Sequence, residues 1–178
     1  LLLPFIALAA RPAPFELLNG DRVVFLGDTL IEREQQFGWL ELMLTTAFAD
    51  RKVTFRNLGW SADTPAGDSR FGLSLLQAGL EPADEGWKQL VKQLEEARPT
   101  VVFLGYGMAS SFDGAAGLAT FKTNYNRLLD TIKRISPDAR RILLSPLRHQ
   151  PAPAPFPDPA AHNQQLALYA DAVRDLAG

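Results

Sequence analysis

Arg22-Val23-Val24-Phe25-Leu26-Gly27-Asp28-Thr29-Leu30 is an apolar run that closes on a glycine and a short carboxylate. Apolar residues that follow one another without polar alternation describe a strand covered on both faces, as in a parallel sheet flanked by helices. Three further runs also finish in a small residue or a turn: Val53-Thr54-Phe55-Arg56-Asn57-Leu58 before Gly59, Thr100-Val101-Val102-Phe103-Leu104 before Gly105, and Arg141-Ile142-Leu143-Leu144 before Ser145-Pro146. Helical stripes lie between them. Trp87, Leu90, Val91, Leu94 and Ala97 share one face before Pro99, and Leu118, Phe121, Tyr125, Leu128, Ile132 and Ile135 recur at three-and-four spacing. Asp158-Pro159 supplies a cap and a first-position proline for a last helix carrying Leu166, Tyr169, Val173 and Leu176. Strands alternating with helices predict an α/β fold, with a parallel sheet in the order 2-1-3-4 and right-handed crossovers. Ligands of such sheets bind beyond the carboxyl ends of the strands, so the residues after 26, 58, 104 and 144 are the candidates for function.

The rest of the chain narrows the classes. Its 178 residues suit one domain that needs no staples. Lys and Arg number 18 against 20 Asp and Glu, so the net charge of -2 gives no global attraction for a polyanion, and nucleic acid is not an expected partner. With no cysteine, thiol catalysis, disulfides and Cys-ligated metals are excluded. His149 and His162 are the only imidazoles, too few for a three-His metal site, and no cofactor is expected. Residues 1–10, Leu-Leu-Leu-Pro-Phe-Ile-Ala-Leu-Ala-Ala, resemble the later part of a signal peptide with an A-x-A site at Ala7-Leu8-Ala9. They are too few to span a bilayer, so stable membrane insertion is not expected. The expectation is an exported protein, periplasmic or extracellular, with its domain over 11–178. Gln150 to Pro159, with proline at every second position from 151, reads as an extended connector.

At the strand ends stand Gly27-Asp28-Thr29-Leu30, then Asn57-Leu58-Gly59-Trp60-Ser61-Ala62-Asp63-Thr64, then Gly105-Tyr106-Gly107-Met108-Ala109. In this order and placement they resemble the SGNH/GDSL hydrolase family, whose blocks are a G-D-S, an N-x-G-x-S-G-D-T-like loop and a G-x-N-D. The steps of 32 and 46 residues between Gly27, Gly59 and Gly105 each suit one strand–helix–strand unit. The resemblance covers roughly positions 20 to 178 and implies a three-layer α/β/α flavodoxin-like fold. It also implies an ester hydrolase acting on a small-molecule or carbohydrate ester. A hydroxyl attacks the carbonyl after a histidine takes its proton, and backbone N–H groups with an Asn side chain hold the oxyanion. Carried over by position, Thr29 is the nucleophile, Asp28 supports the turn, and Gly59 is an oxyanion donor.

The chain departs from the family pattern in three ways. Thr29 replaces serine, and its methyl group restricts χ1 and the approach to the hydroxyl. Gly107 or Ala109, depending on the alignment, occupies the Asn position, and neither has a side-chain donor. One such donor is worth about 3–4 kcal/mol where it has been measured. The family's D-x-x-H block follows one more strand, so the resemblance places the catalytic pair beyond Gly178 and the last strand outside the chain. On that basis the 178 residues are expected to hydrolyse esters no better than background. The alternative is a relative that keeps the fold as a catalytically inactive binding or interaction domain. A flavodoxin-like nucleotide or flavin binder is disfavoured because the first turn lacks G-x-G-x-x-G.

Other candidates have plainer readings. The literal Gly67-Asp68-Ser69 has no strand before it and reads as a loop. Asp158 and His162 are spaced by four, where the family has three, and read as a cap and a first-turn helix residue. His149, in the loop after the fourth strand, reads as a solvated loop residue, with a substrate contact as the alternative. Asp63-Thr64 reads as a loop brace, Glu32-Arg33-Glu34 as a solvated helix start, and Trp39, Trp60 and Trp87 mostly as core aromatics, though Trp60 follows Gly59 closely enough to line a pocket. Ile142-Leu143-Leu144 is expected to form an apolar sheet edge.

Overall fold

The computed structural model describes residues 15–70, 79 and 84–177. The signal-peptide expectation at 1–10 lies outside them. The described elements are β1 (Arg22–Gly27), α1 (Thr29–Phe37), α2 (Trp39–Ala47), β2 (Thr54–Asn57), α3 (Glu85–Ala97), β3 (Val101–Gly105), a 3-10 segment (Ser110–Gly117), α4 (Leu118–Ile135), β4 (Arg140–Leu144) and α5 (Ala160–Ala177). The four strands form one sheet in the order β2-β1-β3-β4, and all three pairings are parallel. Architecture and strand order are those expected.

Successive residues of β1 and β3 feed opposite faces, because strand side chains alternate. Val24, Leu26, Val102 and Leu104 pack with Leu90 and Leu94 of α3, Phe121, Tyr125, Leu128 and Ile132 of α4, and Tyr169 and Val173 of α5. Val23, Phe25, Val101 and Phe103 pack on the other side with Leu17 and Ile31 of α1, joined by the partly buried Leu40 and Leu44 of α2. The sheet is therefore the middle of three layers, and both faces of its central strands are closed to water. That double burial is why β1 and β3 read as unbroken apolar runs.

Sequence periodicity passed over two elements. Gly38, at φ +67°, ends α1 and starts α2, which has no fully buried residue and therefore a weak stripe. The 3-10 segment is built from small residues and has a non-helical Gly114 inside it. The tryptophan expectation needs correcting. Trp39 is 59% exposed and Trp60 44% exposed, because α2 and the loop after β2 lie on the outer surface. Trp87 does pack against the core, with the Arg127 guanidinium 3.8 Å above its ring. Ile142, Leu143 and Leu144 lie on the edge strand and are half-buried. Among the described residues no helix is long and apolar enough to cross a membrane.

Gly27 pairs with Gly105 across β1 and β3, and a Cβ at Gly27 would stand 2.3 Å from the Gly105 carbonyl oxygen. The strands can meet this closely only without a side chain there. Gly27→Ala is expected to lower the unfolding free energy by about 1–3 kcal/mol, read from urea denaturation, because backbone has to move to admit the methyl group.

Candidate active site

The turn from β1 into α1 sets the centre. Asp28 is 2% exposed, and its backbone N–H donates to the Gly105 carbonyl at 3.0 Å. Its carboxylate accepts from the N–H groups of Leu30 (3.4 Å), Met108 (3.0 Å) and Ala109 (3.4 Å). One side chain thus caps α1 and ties the β1 turn to the loop after β3. Burial raises the carboxyl above its ordinary pKa, while these N–H groups pull it back.

Thr29 is the first residue of α1 and is half-buried. Its hydroxyl oxygen accepts the N–H of Ala62 at 2.9 Å, across from the loop after β2. Ala62 holds a left-handed φ of 56° to present that N–H. Thr29, Asp28 and His149 line one cavity of about 380 Å³ at the carboxyl ends of the strands, with largely apolar walls from Leu30, Met108, Phe112 and Pro146. Thr29 and Asp28 lie at the strand end where the sequence reading put them, and His149 borders the same hollow.

The glycine positions sit differently. The N–H of Gly59 donates to Asn57 Oδ1 at 2.8 Å, and a Cβ at Gly59 would come 2.4 Å from the Glu32 nitrogen. Gly59 is thus the close-approach point between the β2 loop and α1, with its donor turned onto Asn57. Gly107, at φ +130°, lies under the Pro146 ring, and the Ala109 N–H is directed at Asp28.

Beside the cavity a second hollow of about 480 Å³ is bordered by Phe112, His149, Phe156, Asp158 and His162. His149 Nε2 and His162 Nδ1 are 2.8 Å apart, and His162 Nε2 is 2.8 Å from Ser111 Oγ. Phe112 stacks on the His162 ring at 4.1 Å. Burial and the neighbouring His149 lower the His162 pKa. The His149 backbone is clamped by Asn163, whose side chain accepts its N–H at 2.8 Å and donates to its carbonyl at 3.0 Å. Asp158 caps α5 through the Ala160 N–H at 2.9 Å, and His162 lies in the first turn, as read from the sequence. No local spacing signals this assembly; the one available clue was that the chain's two histidines flank the connector. Among the described residues no three of His, Cys, Asp and Glu converge as metal ligands.

The loop after β2 has its own anchor. Asp63 is fully buried and lies 2.9 Å from the Nε of Arg70, itself 3% exposed. That Nε is not aligned for a hydrogen bond, so the contact is an ion pair. Arg70 also donates to the Leu58 carbonyl (2.9 Å) and the Tyr106 hydroxyl (3.2 Å). Asp63 therefore braces its loop as expected, though from the core. Gly67-Asp68-Ser69 lies in this loop, where Ser69 donates to the Ala62 carbonyl at 2.8 Å.

No family model matches the sequence, and no curated protein matches it significantly. Solved structures do. The acetylxylan esterase Axe2 from Geobacillus stearothermophilus superposes with a TM-score of 0.61 at 13% identity, over 92% of this chain and 74% of its own. An alpha/beta hydrolase from the metagenome of Lake Arreo, Spain, gives 0.53 at 19% identity, over 90% and 74%. A gut microbial diltiazem-metabolizing enzyme gives 0.56 at 19% identity, over 91% of this chain and 35% of its own. The chain thus has the α/β fold of these hydrolases, which is the fold the sequence resemblance implied. At such identities it is the fold that is shared.

Two outcomes follow from the anchors. Asp28→Ala uncaps α1 and leaves the Met108 and Ala109 N–H groups without their acceptor, so unfolding free energy should fall by about 2 kcal/mol or more in urea titrations. Burial pushes Asp63 from 3.8 up to about 6 despite Arg70. A raised carboxyl favours folding in its protonated form, so its contribution is complete below 3.8 and is lost as pH rises through about 6. Asp63→Asn should remove that slope from the pH dependence of stability, while lowering stability at neutral pH by stranding the Arg70 charge.

Proposed function

We propose that the chain is an ester hydrolase that uses the Thr29 hydroxyl as nucleophile, on a small-molecule or carbohydrate ester such as an acylated sugar. The observation that carries this is the position of Thr29: a half-buried hydroxyl at the end of β1, on the wall of an apolar cavity it shares with His149. The hydroxyl uses a lone pair to accept the Ala62 N–H, which leaves its proton to be given to a base. The apolar walls suit a small acyl group, and an adjacent hollow that shares Phe112 and His149 with the cavity has room for an alcohol moiety. The fold shared with an acetylxylan esterase and an alpha/beta hydrolase supports the same reading. So does the order of the strand-end blocks. The apolar residues 1–10, with Ala7-Leu8-Ala9, support export of the domain at 11–178.

Turnover of p-nitrophenyl acetate and release of acetate from acetylated xylo-oligosaccharides test the proposal. Thr29→Ala should cut kcat/KM by about two orders of magnitude or more without loss of fold, and Thr29→Ser should retain turnover. Turnover that survives in Thr29→Ala would assign the chemistry elsewhere. Saturable binding of the oligosaccharide without turnover would favour a binding domain.

A further inference from the structure

The contact between the two imidazoles tolerates one added proton and not two. Ser111 is fully buried, and its hydroxyl donates to the Met108 carbonyl at 2.7 Å. A serine hydroxyl has one proton, so toward His162 its oxygen accepts, and the proton in that 2.8 Å contact is on His162 Nε2. Neutral His162 then has a bare Nδ1, which accepts the Nε2–H of His149 at 2.8 Å. A first added proton goes to the exposed His149, whose Nδ1 is unprotonated in this arrangement. The charged ring still donates from Nε2, and the bond strengthens. A second proton has only His162 Nδ1 to enter. There it sets N–H against N–H and one positive charge against another, and the contact breaks. Burial and the neighbouring His149 lower the His162 pKa, so this second proton arrives on the acid side of the ordinary imidazole range.

We propose that the His149 ring is an acid-operated gate in the border shared by the Thr29 cavity and the adjacent hollow, held by His162 until both imidazoles are charged. His149 borders both spaces, as does Phe112, which stacks on His162 at 4.1 Å. His162 is held by that stack, by Ser111 at Nε2 and by its place in the first turn of α5. The His149 backbone is held as well, because Asn163 accepts its N–H and donates to its carbonyl. Loss of the ring-to-ring bond therefore frees rotation about χ1 and χ2 of His149 and leaves its loop in place. With the ring turned to solvent, the two spaces open to each other; in the neutral and singly charged states they stay divided. The gate controls access to the cavity and is independent of the chemistry at Thr29.

The charged side chains around the pair come from three elements. Asp28 and Arg33 line the cavity from the α1 side, and Arg148 and Asp158 border His149 from its own loop and from the start of α5. The acids favour protonation and the arginines oppose it, but each acts in the same direction on both steps. The separation between the steps comes from the repulsion within the pair. The 3-10 segment faces His162 with the neutral Ser111 and Phe112, while its Asp113 lies against Gly117.

The test follows both imidazoles of the purified chain by 15N NMR from about pH 8 to about pH 4.5. Two titration steps about one pH unit or more apart are expected, the first at His149 and the second at His162. Scalar coupling across the Nε2–H···Nδ1 bond should persist through the first step and vanish with the second. The His149 backbone N–H should stay protected from exchange throughout, since the Asn163 amide does not titrate. In crystals, the His149 ring should lie against His162 near neutral pH and turn to solvent in acid. His162→Gln keeps a donor and an acceptor without titrating, so His149 should then titrate in one step and stay in place in acid. Independent single-step titration of both rings in the parent overturns the proposal, and so does coupling that survives the second proton or a ring that stays put in acid crystals. Loss of the His149 N–H protection in acid overturns it too, because the loop and not the ring has then moved.

Discussion

The buried carboxylate of Asp28 is the contact from which the mouth of the sheet is built. A charge 2% exposed has lost its hydration, and it persists there by accepting N–H groups from Leu30, Met108 and Ala109. Those donors come from two segments: the first turn of α1 and the loop after β3. The carboxylate therefore sets how far apart these segments stand. It can do so because Gly27 and Gly105 allow β1 and β3 to pair without side chains between them. Met108 held this way presents the carbonyl that takes the Ser111 proton, so the histidine chain inherits its geometry from Asp28.

A second buried carboxylate serves the opposite rim. Asp63, with Arg70 and Tyr106, fixes the loop after β2 against the core, and that loop delivers the Ala62 N–H to the Thr29 hydroxyl. The two acids are held in different ways. Asp28 is surrounded by backbone donors that move little, whereas Asp63 adds to its Ser69 N–H and Tyr106 hydroxyl donors a guanidinium whose contact with it is poorly aligned, and burial raises both carboxyls. Thr29 thus sits between two rigid supports, the Asp28 turn on one side and the braced loop after β2 on the other. Such supports limit the positions open to a β-branched side chain, which has little χ1 freedom to begin with.

Much of the fold could be read before any coordinates. The strands, their order and the three main helices follow from burial patterns a few residues long. Where a helix has little to bury, as at Trp39–Ala47, the pattern fades and the aromatic residues face water. The 3-10 segment left no period because its small residues and Gly114 give none. Thr29 and Asp28 were visible because they are adjacent and follow a strand. His149 was visible as a strand-end residue, but its partners were not: His162 is 13 residues away beyond a proline-rich connector, and Ser111 lies 51 residues from His162.

Local chemistry along the chain was enough to specify an α/β sheet, the strand-end turns and the residues poised there, since each depends on neighbours within a turn or a strand. The direction of each donor and acceptor was settled in three dimensions. The Gly59 N–H turns to Asn57, the Ala109 N–H to Asp28, and the imidazoles to each other and to Ser111. Hydrogen bonds are satisfied by whichever group packing brings within 3 Å or so, and packing depends on how distant segments meet. No spacing in the sequence encodes that meeting.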